Sequence, residues 1–105
     1  MENPEIDKYS GNKCWYNDHY ELHREDGPAI EYPDGTKFWY INGLIHREDG
    51  PACEHADGHK SWYQHGKLHR IDGAAYITNT GHFQYWVNDK RYDSLEEGLM
   101  NQALE

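Results

Sequence analysis

The dipeptide His-Arg recurs at His23-Arg24, His46-Arg47 and His69-Arg70, each 23 residues after the last. The surrounding text repeats with it: HREDGPA at 23–29, HREDGPA at 46–52 and HRIDGAA at 69–75. A glycine keeps the same beat at Gly35, Gly58 and Gly81, with Gly11 one step out of register before them. An aromatic pair follows each glycine: Trp15-Tyr16, Trp39-Tyr40, Trp62-Tyr63 and Tyr85-Trp86. The fourth copy decays to YWVNDKRYDS, with Tyr92 in the histidine slot. Such a period means one supersecondary unit stacked on its neighbours, with no unit stable alone. The 105 residues then make a single small domain. It divides into an N-terminal lead over 1–12, four repeats of the 23-residue period over 13–92, and a closing segment over 93–105.

Each unit reads as a β-hairpin. Asp34-Gly35 and Asp57-Gly58 are dipeptides that supply the positive φ of tight two-residue turns, and flanks such as AIEY and KFWY are β-branched or aromatic. Asn42-Gly43 and Asp49-Gly50-Pro51 punctuate the connection to the next hairpin. A two-residue turn at Asp34-Gly35 sets the register. It pairs Tyr32 with Lys37, Ile30 with Trp39 and Ala29 with Tyr40. The same count pairs Cys53 with Trp62, Ala52 with Tyr63, Tyr76 with Tyr85 and Ala75 with Trp86. One face then carries large pairs (Ile30, Tyr32, Trp39, Ile41, Cys53, Trp62, Tyr76, Tyr85) and is expected to be mostly buried. The other sets a small alanine beside each second aromatic. The fold class is therefore all-β: an elongated, twisted antiparallel sheet of about four repeated hairpins with a short C-terminal α-helix.

The helix is announced by a capping box, Ser94 followed three residues later by Glu97, and by Leu95, Leu99, Met100, Ala103 and Leu104 at helical spacing. Phe83 and Val87 offer it an apolar landing on the last hairpin, so it is expected to fold back as a cap. Docking into a partner or a twin subunit is the alternative. At the other end an unpaired strand edge around Lys13–Asn17 is expected, and with it a homodimer through this edge or through the helix.

The pattern W-Y-x-N-G-x-x-H-R-E-D-G-P-A-x-x-x-x-D-G resembles the MORN repeat, and more closely the MORN-variant repeats of YwqK-type antitoxin-like proteins and small phage proteins. The resemblance covers about Lys13 to Asp93. The chain departs from that pattern where HREDGPA replaces a glycine-rich H-G-x-G, and in the worn fourth unit. The resemblance implies a sheet of hairpins used for protein contact, in some cases proposed for lipid headgroups, and it does not imply an enzyme.

Composition narrows the rest. Leu, Ile, Val and Phe number only 15 of 105 residues, against 9 Tyr and 4 Trp, so any core must be aromatic rather than aliphatic. The net charge of −9 argues against nucleic-acid binding, which needs a basic footprint. Two cysteines make no disulfide framework, and no apolar run near the start or later reads as a leader or a membrane span. A reducing cytoplasm is the expected location, that of the host if the protein is viral.

Three features invite chemistry. His-Arg-x-Asp brings an imidazole, a guanidinium and a carboxylate within four residues. An active site is normally built once, however, and this set stands at one position of three repeats, so His23, Arg24, Asp26, His46, Arg47, Asp49, His69, Arg70 and Asp72 read as a structural motif. In that reading each aspartate accepts loop N–H groups, each arginine bridges to an aspartate, and each histidine donates to a loop carbonyl. His-x₃-His occurs at His19/His23, His55/His59 and His65/His69, and only Cys53, His55 and His59 would converge on a metal. Their segments are strand and turn, so no metal is expected. Nucleotide-binding glycine motifs are missing, and Ser10, Ser61, Ser94, Cys14 and Cys53 have no constant base partner, so neither cofactor nor nucleophile is expected.

What remains is a non-catalytic protein-binding repeat module. Tyr16, Tyr40, Tyr63 and Trp86 beside the alanines, flanked by Glu31 and Glu54, are the expected partner-binding residues, suited to a basic partner surface. Cross-strand packing is the other role open to these rings. The phage and antitoxin resemblance implies a small inhibitor that occupies a host or defence protein. An acidic DNA mimic is one alternative, although residues 1–12 carry −2, 13–92 carry −3 and 93–105 carry −4, so the sheet body is mixed in sign. A small-molecule or nucleotide sequestrant using an aromatic groove is the other.

Overall fold

A computed structural model describes residues 3–104. Thirteen short strands and one helix follow one another: β1 Glu5–Ile6, β2 Lys13–Cys14, β3 Ile30–Glu31, β4 Lys37–Phe38, β5 Tyr40–Ile41, β6 Leu44–Ile45, β7 Cys53–Glu54, β8 Lys60–Ser61, β9 Tyr63–Gln64, β10 Lys67–Leu68, β11 Tyr76–Ile77, β12 Phe83–Val87, β13 Lys90–Tyr92 and α1 Leu95–Leu104. The chain is mostly antiparallel β-hairpins with one short C-terminal helix, as its repeat pattern predicts. A nine-stranded sheet runs in the order β1-β2-β3-β4-β7-β8-β11-β12-β13, and β5-β6 and β9-β10 form separate two-stranded ribbons. The molecule measures 45 × 32 × 18 Å.

The two dipeptide turns exchange the roles the sequence suggests for them. Asp34-Gly35 belongs to a three-residue loop: Tyr32 N–H donates to the Thr36 carbonyl at 2.9 Å, and Asp34 Oδ1 accepts the Thr36 N–H at 2.9 Å. The loop recurs at His55–His59 and Thr78–His82. Asn42-Gly43 (φ +47° and +81°) is the tight two-residue turn, a type I′ hairpin, and His65-Gly66 and Asn88-Asp89 repeat it.

The extra loop residue corrects the register by one. Ile30 pairs with Phe38 rather than Trp39, Cys53 with Ser61 rather than Trp62, and Tyr76 with Gln84 rather than Tyr85. One slip moves each tryptophan off the expected face. Two rows result. Cys14, Ile30, Phe38, Cys53, Ser61 and Tyr76 lie across one face, and Lys13, Glu31, Lys37, Glu54 and Lys60 alternate in charge across the other. Of the expected large-pair face, Ile30 and Cys53 are buried, while Tyr32, Trp39, Ile41, Trp62, Tyr76 and Tyr85 are half-buried.

At Trp39 and Trp62 the chain leaves the sheet and enters a ribbon. Trp15, Trp39 and Trp62 each donate their N–H to an alanine carbonyl, of Ala29, Ala52 and Ala75, at 2.8 Å. All three alanines have no exposed surface, so they are packing positions rather than gaps that raise the neighbouring rings. The ribbons then stack on one another: Arg24 N–H reaches the Tyr40 carbonyl, Arg47 that of Tyr63 and Arg70 that of Trp86, at 3.0–3.2 Å.

Each end carries an added element. β1 pairs with β2, so Lys13-Cys14 has partners on both sides and the expected open edge there is covered by the N-terminal lead. At the C-terminus Ser94 caps α1, its Oγ accepting the Glu97 N–H at 3.2 Å. The helix lies on the last ribbon through Gly98, against Val87 and Tyr92, and Val87 is 1% exposed. Phe83 is not covered, and Leu99 and Met100 face outward, because the close approach at Gly98 turns a different stripe of the helix inward.

Candidate functional site

The HRxDG segment forms the same clamp three times. Each arginine lies over the tryptophan ring of its own unit: Arg24 over Trp15, Arg47 over Trp39 and Arg70 over Trp62, with Cζ 3.8, 3.8 and 3.9 Å from the ring centroid. Its Nε donates to the aspartate two residues on, at 3.1, 3.0 and 2.8 Å for Asp26, Asp49 and Asp72. Its Nη1 donates to the carbonyl four residues on, of Pro28, Pro51 or Ala74. The first two also reach Glu31 (3.2 Å) and Glu54 (2.9 Å), whereas the third repeat holds Ile77 there. The glycine makes room, since a Cβ at Gly27, Gly50 or Gly73 would fall 2.9–3.0 Å from the arginine Cζ.

The histidines act between repeats, and as acceptors. His23 Nδ1 accepts the Asn42 N–H, His46 Nδ1 the His65 N–H and His69 Nδ1 the Asn88 N–H, each at 2.9 Å and 19 residues on. The expected donation to a loop carbonyl is therefore reversed at this nitrogen, and the bond assigns the ring proton to Nε2. The second residue of each turn donates to the residue before the histidine: Gly43 to Leu22, Gly66 to Ile45 and Asp89 to Leu68. Each repeat thus holds both N–H groups of the next repeat's turn. The aspartates pair with the arginine of their own unit, one of the two roles expected for them.

Two open grooves lie between successive loops. One, about 860 Å³, has Glu25 and Asp26 on one rim, Glu48 and Asp49 on the other, and Trp39 and Ile41 on its floor. The next, about 910 Å³, runs from Glu48 and Asp49 to Ile71 and Asp72 over Trp62 and Gln64, with Gln102 of α1 at its lining. His46 and His65 stand between them with ring centroids 4.4 Å apart.

The aromatic residues expected to meet a partner lie on the other side of the ribbons. Tyr16 stacks on Tyr20 at 4.3 Å, and burial pushes its hydroxyl up to about 12. Tyr40 and Tyr63 are half-buried, and burial raises both hydroxyls, with Cys53 close enough to add to the effect. Trp86 donates its indole N–H to Gln84 at 2.9 Å. Glu31 and Glu54 are engaged by the arginine clamps. Six residues expected to act together are thus divided between a packed tyrosine row and the clamps. The sequence signal for these acid-lined grooves is the Glu25 and Glu48 inside HREDG, both exposed.

Cys53 is buried, and burial alone pushes its thiol up to about 12, the environment of an inert cysteine. His55 and His59 meet edge to face at 6.2 Å, and Asp57 takes His59 Nδ1 at 2.8 Å. Among the described residues no three His, Cys, Asp or Glu side chains gather as metal ligands. Nor is any described helix long and apolar enough to cross a membrane.

The fold and clamp define a hairpin-repeat β-protein with a tryptophan–arginine clamp in each of three units. No protein family, curated protein or solved structure matches the chain.

Proposed function

We propose that this chain is a non-catalytic protein-binding repeat module that acts by occupying a partner's surface, in the manner of a small phage-type inhibitor or an antitoxin-like protein. One observation carries the reading. The imidazole of every HRxDG segment holds the next repeat's turn and its guanidinium and aspartate brace their own unit, while Glu25 and Glu48 stand 83% and 82% exposed beside the grooves. Groups committed to a framework at three equivalent positions are not free to shuttle protons, whereas a row of grooves is a surface for an extended contact. Acidic rims favour a basic partner surface, chiefly through encounter rate.

The test compares capture of one identified partner by wild type, by Glu25→Lys/Glu48→Lys and by Tyr40→Ala/Tyr63→Ala, each checked for its melting temperature. Loss of the partner in the folded glutamate variant alone supports the groove face. Loss in the folded tyrosine variant alone moves the interface to the tyrosine row. Turnover of a small substrate, abolished by His46→Ala at unchanged stability, would refute the non-catalytic reading.

A further inference from the structure

The two grooves are built alike but lined differently. Each arginine is already neutralised by its aspartate, and Arg24 and Arg47 also by Glu31 and Glu54. Glu25 and Glu48, each 3.7 Å from a histidine Nε2 and largely exposed, add to the net negative charge that these two clamps already carry, and both line the first groove. Ile41 and the part of Trp39 that the Arg47 guanidinium leaves uncovered give it an apolar lining, beside the paired Arg24 and Arg47, along which a long cationic side chain lays its stem. In the second groove Glu48 stands on one side only, Ile71, 52% exposed, takes the place of the other glutamate, and Lys67 lines the wall. A second cation is disfavoured there and an apolar side chain is favoured.

Consecutive grooves lie one repeat apart, two strands of the sheet, or about 10 Å. An extended segment in the polyproline II conformation covers about 9 Å in three residues at ~3.1 Å each, and its three residues per turn bring positions i and i+3 to the same side. The geometry points to an extended segment of a partner protein that seats a lysine or arginine in the Trp39 groove and, three residues away, a large apolar side chain in the Trp62 groove. This inference rests on the protein-binding reading and gives the partner its chemistry.

The experiment is an NMR titration of the intact chain, following the Trp39 and Trp62 indole N–H signals. The probes are synthetic peptides in a Gly/Ser background carrying Arg and Leu three positions apart, with Arg→Glu, Leu→Arg and respaced controls. The Arg/Leu peptide should move both indole signals and bind about tenfold more tightly than its Arg→Glu control, a margin that shrinks as salt is raised. Glu25→Gln/Glu48→Gln should remove the preference for Arg while the Leu-dependent shift of Trp62 persists. Ile71→Glu should switch the second groove from Leu to Arg. Peptides that bind in the grooves without charge preference, or that prefer Glu, would overturn this chemistry and leave the protein-binding reading standing. A panel that moves neither indole signal would overturn the inference outright, and the three-way capture comparison would then judge the broader reading alone.

Discussion

Arg47 is the residue at which the account is easiest to break. Its guanidinium covers Trp39 at 3.8 Å, donates to the Pro51 carbonyl at 3.0 Å, and pairs with Glu54 at 2.9 Å and Asp49 at 3.0 Å. The pair with Asp49, whose side chain is 88% exposed, contributes only a few tenths of a kcal/mol. The half-buried Glu54 pair, the charged bond to the carbonyl and the ring contact are each worth about 1 kcal/mol. Arg47→Ala should therefore cost about 3 kcal/mol, a fall in Tm of about 15 °C for a domain of this size. Arg47→Lys should lose about 2 kcal/mol, because a compact ammonium cannot serve three directions while stacking. The third repeat is an internal control. Arg70 keeps the ring, aspartate and carbonyl contacts but faces Ile77 instead of a glutamate, so Arg70→Ala should cost about 1 kcal/mol less. Urea unfolding of the variants, with the Arg47→Ala/Glu54→Gln cycle, measures each figure. An Arg47→Lys variant as stable as wild type, or an Arg70→Ala cost above that of Arg47→Ala, would refute the clamp.

Gly98→Ala should destabilise by about 1–2 kcal/mol although alanine is the better helix former, because the new Cβ would sit 2.9 Å from Val87 Cγ2 and 3.1 Å from Tyr92 Cδ2; thermal melts measure it, and a gain would show that the helix is not seated there. His65 adopts φ +50° where the equivalent positions hold Asn42 and Asn88, so His65→Asn should raise stability by about 0.5 kcal/mol despite losing the His46 ring contact. Chemical unfolding checks this, and a loss of similar size would show that the ring contact outweighs the strain. Burial holds the thiol of Cys53 and the hydroxyl of Tyr16 up at about 12, above their ordinary 9.0 and 10.0, so the folded state favours their neutral forms. Their contribution is complete below pH 9 and is lost as the pH climbs toward 12. Unfolding free energy measured over pH 8–12 should fall, and less steeply in Cys53→Ser and Tyr16→Phe.

The period, the hairpin class and the capped helix were legible because each rests on local chemistry: repeated text, turn dipeptides and a serine three residues before a glutamate. The register was not. Asp-Gly and Asn-Gly both supply positive φ, and nothing in either dipeptide shows that Pro33 joins Asp34 and Gly35 in the loop while Asn42-Gly43 turns alone. That single residue exchanged Phe38 for Trp39 opposite Ile30 and moved the tryptophans under the arginines. The histidine bonds span 19 residues, so their direction emerges only once the ribbons stack. Glu31 and Glu54 looked like free surface acids because their arginine partners, seven residues back, come near only through the turn between them.

The central claim, that each HRxDG histidine holds the next repeat's turn, is open to direct measurement. The bonds from Asn42, His65 and Asn88 amides to the Nδ1 atoms of His23, His46 and His69 are N–H···N bonds of 2.9 Å, a geometry that transmits scalar coupling between the two nitrogens. In uniformly ¹⁵N-labelled protein the account predicts a through-hydrogen-bond coupling for each pair, with the ring proton on Nε2. Protonated Nδ1 atoms and no coupling at any of the three pairs would contradict it.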